Sequence, residues 1–298
     1  MTTSVVSYFA EMVNDEYIVP LILDSAWNEA VCRPVCLEQD LRGKGSGVGS
    51  FLVDSAPTIS GTADHAVAEG SSITPTIYNP SQTQVTAAEF GFSIAVTDKG
   101  LEDNIFGQDL LLYIADRIQR ELQVSFDYDL ASLMGSLTQD AGAVGTDLTV
   151  ANMVEASWKV KAAGYSHDIG QGVYILHPVQ AEHLDKAIAA VSTTSLDMYW
   201  QQAVGSEMPG IMGYFKRNPV LVTGNVNMDY GNTAYVGGYM VNAKVRPTLA
   251  SIGIVQARDV TLRMDRSEVA RTSTLVGTAR WGAGVINGGA GCAINTDT

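Results

Sequence analysis

The chain has 298 residues, of which 46% are hydrophobic and only 17% charged, and its net charge at pH 7 is −14. No window approaches eighteen consecutive apolar residues, so we expect no membrane-spanning helix, and the acidic balance argues against binding nucleic acid through a basic surface. A low charged fraction in a chain long enough to bury a large core predicts that partners cover much of the surface.

The acidic side chains are concentrated in the first half of the chain. Residues 1 to 136 hold 19 acidic and 6 basic residues, whereas residues 255 to 298 hold 4 acidic and 5 basic residues. Because like charges repel, a polyanion such as DNA is expected not to adhere to the surface formed by residues 1 to 136.

Residues 1–42 are predicted to form an N-terminal arm. They contain two short helical patterns, Val5 to Val13 and Asp24 to Ala30, and neither is long enough to form a core alone. These segments therefore have to pack against another part of the protein.

Residues 43–89 are predicted to form an extended β-hairpin loop. They are rich in Gly, Ser, Thr, Ala and Pro, yet they contain strand-like runs at 51–53, 58–59 and 73–78. A flexible linker is the alternative interpretation. The alternating glycines at the start precede a strand rather than a helix, which fits neither of the common phosphate-binding loops.

The longest helical pattern covers residues 108–135, and an alternating strand pattern at residues 90–97 precedes it. In the helix, apolar residues recur at three- and four-residue steps and so lie on one stripe. The stripe comprises Leu111, Ile114, Ala115, Ile118, Leu122, Phe126, Leu130 and Leu133. Asp116 and Arg120 lie four residues apart on the opposite, solvent-facing side. On periodicity alone, a core helix of an ordinary enzyme domain is an equally good interpretation.

The remaining sequence predicts a mixed α/β lobe followed by strands. A loop is expected at residues 137–150. The lobe is predicted to contain a helix at 152–163, a buried strand at 172–177, a helix at 180–191 and strands at 219–223 and 234–241. Further strands are predicted at 259–266, 272–281 and 284–294.

Two of these stretches resemble the major capsid proteins of tailed bacteriophages. The first runs from the strand at 90–97 through Leu101-Glu102-Asp103 into the long helix, which ends on an Asp-x-x-Leu-x-x-x-Gly type of pattern between Asp127 and Gly135. The second is the C-terminal group of strands, with an Arg-rich first strand and Trp281-Gly282 before the last. The resemblance implies the Hong-Kong-ninety-seven-like capsid fold, which is of the α+β class.

That fold implies a division of the chain into an arm, a loop and two domains. The expected parts are the N-terminal arm 1–42, the extended loop 43–89, a peripheral domain formed by 90–150 and 255–298 around a spine helix at 108–135, and a mixed α/β axial domain at 151–254. The loop is expected to lie over a neighbouring subunit. The subunit-interface residues expected from this arrangement are Lys44, Phe51, Ile59, Glu69, Ile73, Tyr78, Arg263, Arg266 and Arg271.

The resemblance also implies a function and a set of partners. Many copies would form the pentamers and hexamers of an icosahedral phage head that encloses double-stranded DNA without sequence-specific binding, located in the virion after assembly in the host cytoplasm. A portal, a separate scaffolding protein and decoration or cement proteins are the partners expected from the family. An encapsulin-type nanocompartment shell is the alternative, and a cytosolic α/β enzyme is the candidate from another class.

The sequence predicts no catalytic, cofactor-binding or metal-binding residues. The four histidines form no metal-binding pattern, and no serine lies in a G-x-S-x-G turn. Cys32 and Cys36 are separated by three residues and have no second ligand cluster, so they are expected to be buried or idle thiols, as is Cys292. An odd number of cysteines without a signal-peptide pattern indicates a reducing compartment.

Overall fold

The computed structural model describes residues 31–53, 80–102, 109–189, 200–202, 210–226 and 234–297. The helices are α1 Asp98–Glu102, α2 Asp109–Ser132, α3 Val150–Ala162 and α4 Pro178–Ala189. The strands are β1 Leu37–Asp40, β2 Val48–Val53, β3 Ser81–Thr86, β4 Ala88–Thr97, β5 Gln139–Gly142, β6 Gly172–Leu176, β7 Trp200–Gln202, β8 Ile211–Phe215, β9 Asn218–Val222, β10 Ala234–Val241, β11 Ile252–Ser267, β12 Thr272–Val285 and β13 Gly291–Asp297. The predicted helices at 5–13 and 24–30 and the strand-like runs at 58–59 and 73–78 lie outside the described residues.

The long helix predicted at 108–135 is α2, which continues into a short 3-10 turn at Leu133–Ser136. Its 24 residues span roughly 36 Å. Most of the predicted stripe is buried, with Ile114, Ile118, Leu122, Phe126 and Leu130 in the main hydrophobic core. On the opposite side Arg120 Nε lies 2.8 Å from Asp116 Oδ2, as the spacing predicts. The amphipathic pattern thus determines which side of α2 faces the core.

A four-stranded sheet with the order β1-β11-β12-β4 packs against α2. The alternation predicted at 90–97 is confirmed in β4, because Val96 is buried and Phe90 and Ile94 pack on the helix core. The odd-numbered residues of β12 point to the same side, and each of those between Ser273 and Trp281 is buried. Because side chains alternate along a strand, the other side of this sheet is left to solvent and to partners.

A seven-stranded sheet with the order β5-β13-β10-β6-β9-β8-β7 forms the mixed α/β lobe. Strand β6 is buried along its whole length. Val173 and Ile175 belong to the core beneath α2, whereas Tyr174 and Leu176 belong to a second core beneath α3 and α4. A strand that packs helices on both faces requires the continuous apolar run that this stretch of sequence shows.

Two parts of the fold differ from the sequence-based expectation. The expected loop at 137–150 contains β5, which pairs in parallel with β13. The sequence of β5 shows no alternation of apolar and polar residues that would have indicated a strand. Strand β13 covers 291–297 rather than 284–294, and it lies between β5 and β10 in the seven-stranded sheet instead of beside the other C-terminal strands. The sheet that a strand joins is decided by long-range packing, which its own sequence does not encode.

Candidate assembly surfaces

The base of the predicted β-hairpin loop is a two-stranded antiparallel sheet. β2 pairs with β3 from Val48 opposite Thr86 to Val53 opposite Ser81, and residues 54–79 between them lie outside the described part of the chain. Phe51 and Val85 pack with Val255 in a small core of their own. Gly282 lies so close to the end of β3 that a Cβ would collide with its backbone. The base is therefore fixed to the body of the subunit.

The predicted interface residues near this base divide into two kinds. Lys44 is exposed in the turn before β2, where its backbone N donates to Leu41 O at 3.1 Å. Phe51 differs from the expectation, because its side chain is only 7% exposed and faces its own subunit. The neighbouring Leu52 is instead 74% exposed. The alternation of side chains along a strand explains why Phe51 is buried and Leu52 is exposed, since adjacent side chains point to opposite faces.

The three predicted arginines lie near or at the tip of the β11–β12 hairpin. Arg263, Arg266 and Arg271 are all exposed. Arg266 forms an ion pair of 3.2 Å with Asp98 of α1, and the Arg271 carbonyl accepts from the Asp98 backbone N at 2.9 Å. Val269 at the tip is 99% exposed. Ile59, Glu69, Ile73 and Tyr78, also predicted as interface residues, lie outside the described residues.

A buried carboxylate that the sequence analysis did not single out joins three segments of the chain. Asp127 of α2 is fully buried and accepts from the Cys32 backbone N at 2.7 Å and from Asn225 Nδ2 at 2.9 Å. Burial raises the pKa of Asp127, and the hydrogen bonds from Asn225 and Cys32 oppose that shift. The available signal was spacing, because Asp127, Ala131 and Met134 follow one another at helical steps on a buried side of α2.

A second aspartate of the same helix positions the tryptophan of the Trp281-Gly282 pair. Trp281 Nε1 donates to Asp129 Oδ2 at 2.9 Å. The indole stacks on Phe90 of β4 with ring centres 4.0 Å apart and meets Phe126 edge-on at 5.3 Å. The end of the long helix and the two sheet strands are thereby held in one arrangement.

The whole chain is similar in structure to solved phage and particle capsids. It matches the capsid of the native GTA particle with a TM-score of 0.65 at 15% identity, covering 100% of both chains. It matches the capsid of cyanophage P-SCSP1u with a TM-score of 0.66 at 9% identity over 95% of this chain and 93% of that one. The acidic stable capsid of Helicobacter pylori bacteriophage KHP30 gives 0.66 at 11% identity over 96% of each chain. The chain has the Hong-Kong-ninety-seven-like capsid fold. No family model matches the sequence, and a search of curated proteins found no match.

The thiols of this capsid fold are placed in its cores. Cys32, Cys36 and Cys292 are all buried and unpaired. Burial raises the pKa of Cys292 to about 12, and it also raises the pKa values of Cys32 and Cys36. A thiol with so high a pKa is a poor nucleophile and metal ligand. Within the described ranges no three His, Cys, Asp or Glu side chains are grouped closely enough to hold a metal ion, and no helix is long and apolar enough to cross a membrane.

A buried histidine lies in the second core of the capsid fold, between α3 and the seven-stranded sheet. His167 Nδ1 lies 3.0 Å from the Tyr165 carbonyl oxygen, and Nε2 lies 2.5 Å from the hydroxyl of Tyr239. A neutral imidazole satisfies both contacts by donating to the carbonyl and accepting from the hydroxyl. Burial lowers the pKa of His167, and the hydrogen bond to Tyr165 opposes that shift.

This histidine predicts a subunit that loses stability in mild acid. Below the ordinary histidine pKa of 6.5 the unfolded chain takes up a proton that the folded state resists, so the free energy of unfolding should fall as pH drops from about 7 to 5. Chemical denaturation of the free subunit at several pH values measures this slope. His167→Gln, whose amide can make both contacts, should flatten the slope, while His177, whose pKa is also lowered by burial, retains a part of it. An unchanged slope in the variant would contradict the assignment.

Proposed function

We propose that this chain is the major shell subunit of a phage-type capsid, forming pentamers and hexamers that close into an icosahedral head around double-stranded DNA. The observation that carries the proposal is the extent of the similarity, because the chain covers 93–100% of three capsid subunits. Capsid subunits act by binding copies of themselves, and the proposed role is accordingly structural and not enzymatic.

The surface supports this proposal with exposed apolar side chains at the ends of hairpins and helices. Leu52 lies at the hairpin base, Val269 at the β11–β12 tip, and Trp158 on α3. Large apolar groups exposed at projecting positions are typical of surfaces that become buried on association. We include Lys44, Arg263, Arg266 and Arg271 among the proposed interface residues because all four are exposed.

The capsid fold suggests a role in assembly for each part of the chain. The arm 1–42 and the loop 43–89 would reach neighbouring subunits, the peripheral domain of 90–150 and 255–298 would form the edge of each capsomer, and the axial domain 151–254 would meet its copies at the centre. A portal, a separate scaffolding protein and decoration proteins are the further partners in this proposal. The assembled protein belongs to the virion and would be built in the host cytoplasm.

The direct test is to express the chain and measure the size of what forms. We expect closed particles by electron microscopy and a large-particle peak by size-exclusion chromatography and light scattering, with or without a co-expressed scaffolding protein. Particles recovered from an infected host should contain double-stranded DNA, whereas a nanocompartment shell would contain protein. A stable monomer under all of these conditions would contradict the proposal.

The proposal also predicts weak binding of the free subunit to DNA. If the acidic half of the chain lines the inner wall, duplex DNA at physiological salt should bind with a dissociation constant far above micromolar. Fluorescence anisotropy with a labelled duplex measures this, with a basic DNA-binding protein in the same buffers as the positive control. Micromolar or tighter binding with a steep dependence on salt would contradict an acidic inner wall.

A further inference from the structure

The turn between β8 and β9 has an unusual combination of conformation and sequence. Its two residues, Lys216 and Arg217, have φ values of 49° and 64°, so both lie in the left-handed region. Two-residue hairpin turns with this geometry strongly favour Asn-Gly, because a side chain with a Cβ is strained there. Among the described residues, the other non-glycine with positive φ is Arg271, again a cation at a hairpin tip.

The surrounding structure forces the turn into this conformation. Asn218, the first residue after the turn, accepts at its Oδ1 from the backbone N of Gly170 at 2.9 Å and of Gly172 at 3.0 Å. Asn218 is itself buried, so the loop before β6 holds the turn in place. The hydrogen bonds to Asn218 thus maintain a backbone strain that the sequence Asn-Gly would remove. Retention of lysine and arginine at these strained positions indicates that the two side chains serve a function.

The turn is the centre of a cationic surface. Arg217 is exposed, and it forms no ion pair with any carboxylate of the described residues. Lys216 is half-buried, with its Nζ 6.0 Å from the ring of Phe215, and burial together with the nearby charge of Lys161 lowers its pKa. Lys161 lies over the exposed ring of Trp158 at 5.2 Å. Three cations and an exposed indole are thus presented together by a protein that is acidic overall.

An acidic groove lies at the opposite end of the same β8–β9 hairpin. Its volume is about 490 Å³, and it opens between α4 and the start of β8. The floor is apolar and the α4 side carries two carboxylates; the lining residues are Pro178, Ala181, Glu182, Asp185, Ile211, Met212 and Val222. Glu182 pairs with Lys186 at 2.6 Å, whereas Asp185 is exposed and has no cationic partner in the described part of the chain.

We propose that the Lys216–Arg217 turn of one copy docks into the Asp185 groove of the next copy. The turn and the groove are separated by one short strand, roughly 15 Å, so a single subunit cannot bring them together. A contact between two different patches of identical subunits is heterologous, and it closes into a ring when the rotation between neighbours permits. The proposal rests on the shell function above and identifies a contact within its pentamers and hexamers.

Charge complementarity selects a second copy as the occupant. The groove presents the carboxylate of Asp185 next to apolar residues, and the turn presents the exposed guanidinium of Arg217. Neither group has an ion-pair partner among the described residues. Arginine favours such interfaces because its planar group is weakly hydrated and forms paired hydrogen bonds with a carboxylate. A neighbouring copy supplies this cation in every ring.

The first test removes the charge and the strain together. Lys216→Asn with Arg217→Gly gives the turn its favoured residues, so the variant subunit should melt a few degrees higher than the natural one. Its yield of pentamers, hexamers and closed shells, measured by native mass spectrometry and electron microscopy, should nevertheless fall at least about tenfold. A variant that melts higher and assembles as well as the natural chain would overturn the proposal.

The second test exchanges the charges. Arg217→Asp keeps a residue that tolerates the left-handed conformation, and Asp185→Arg places a cation in the groove; each single variant should fold and fail to form rings. The double variant restores charge complementarity and should recover assembly. If it does not, although each protein remains folded, the cationic turn binds another surface and the Asp185 groove is not its docking site. The natural chain in the same buffers separates the two hypotheses, because its own failure to assemble would refute the shell function and the docking with it.

Discussion

Replacing Leu122 with Asp should leave almost no folded subunit. Leu122 is 4% exposed on the core side of α2, and it packs with Ile118 against Gly277 of β12, where the Ile118 side chain leaves no room for a Cβ. An aspartate at this site would bury a charge without a partner, which costs several kcal/mol, against a total stability of about 5–15 kcal/mol for a typical domain. We expect loss of soluble protein, or a cooperative unfolding transition far below that of the natural chain.

The same helix supplies the control for this experiment. Gln123→Asp introduces the same charge one residue further along, on the exposed side, and should change the stability by less than about 1 kcal/mol. Phe126→Asp should behave like the Leu122 variant, because it also removes the ring that meets Trp281 edge-on. Normal assembly of both core variants would mean that the buried side of α2 is wrongly assigned.

Shortening the extended loop should leave a folded subunit that cannot build stable shells. Val53 pairs with Ser81 across the base of the hairpin, so residues 54–80 can be replaced by a turn of two to four residues such as Asn-Gly without disturbing β2 or β3. The base keeps its own small core through Phe51 and Val85. Thermal melting should therefore change little, while electron microscopy should show few or no closed particles.

Limited proteolysis tests independently whether a neighbouring subunit covers this loop in the particle. In the free subunit, protease should cut within residues 46–86, and in assembled particles these sites should be protected by the neighbouring copy. The natural subunit and the natural particle, digested in parallel, are the controls. If the loop-shortened protein fails to fold, the loop belongs to the core of its own subunit. If the shortened protein still closes into stable particles, the loop is not needed for assembly. Either result contradicts the prediction.

The sequence predicted the elements whose side chains repeat with a clear period. Strand β4 was visible from the alternation of Phe90, Phe92, Ile94 and Val96, and α2 from its apolar stripe, because half-buried elements impose their geometry on the sequence directly. The α+β class and the similarity to capsids followed from the order of such elements. A hairpin was expected within residues 43–89, but β3 at Ser81–Thr86 was not among the predicted strand-like runs.

What the sequence could not predict depends on contacts between distant residues. Strand β5 has only four residues, Gln139–Gly142, and forms because β13 offers it an edge. Phe51 was expected at a subunit interface, yet Val255 from β11 completes a small core around it within the subunit. The burial of Asp127 requires Cys32 and Asn225, which lie 95 and 98 residues away along the chain.

The position of β13 has a consequence for the timing of folding during synthesis. Residues 291–297 follow all other strands in the chain, yet they occupy an inner place between β5 and β10, and the buried side chain of Gln180 donates to the carbonyl of Ile294 and the hydroxyl of Thr296. The seven-stranded sheet of the lobe therefore cannot be completed until this segment has left the ribosome. Paired residues of β13 and β5 are more than 150 residues apart along the chain. Such long-range pairing is slow, and a chain that terminates early lacks the strand on which β5 depends. A chain that stops before residue 291 is thus unable to form the seven-stranded sheet of the lobe.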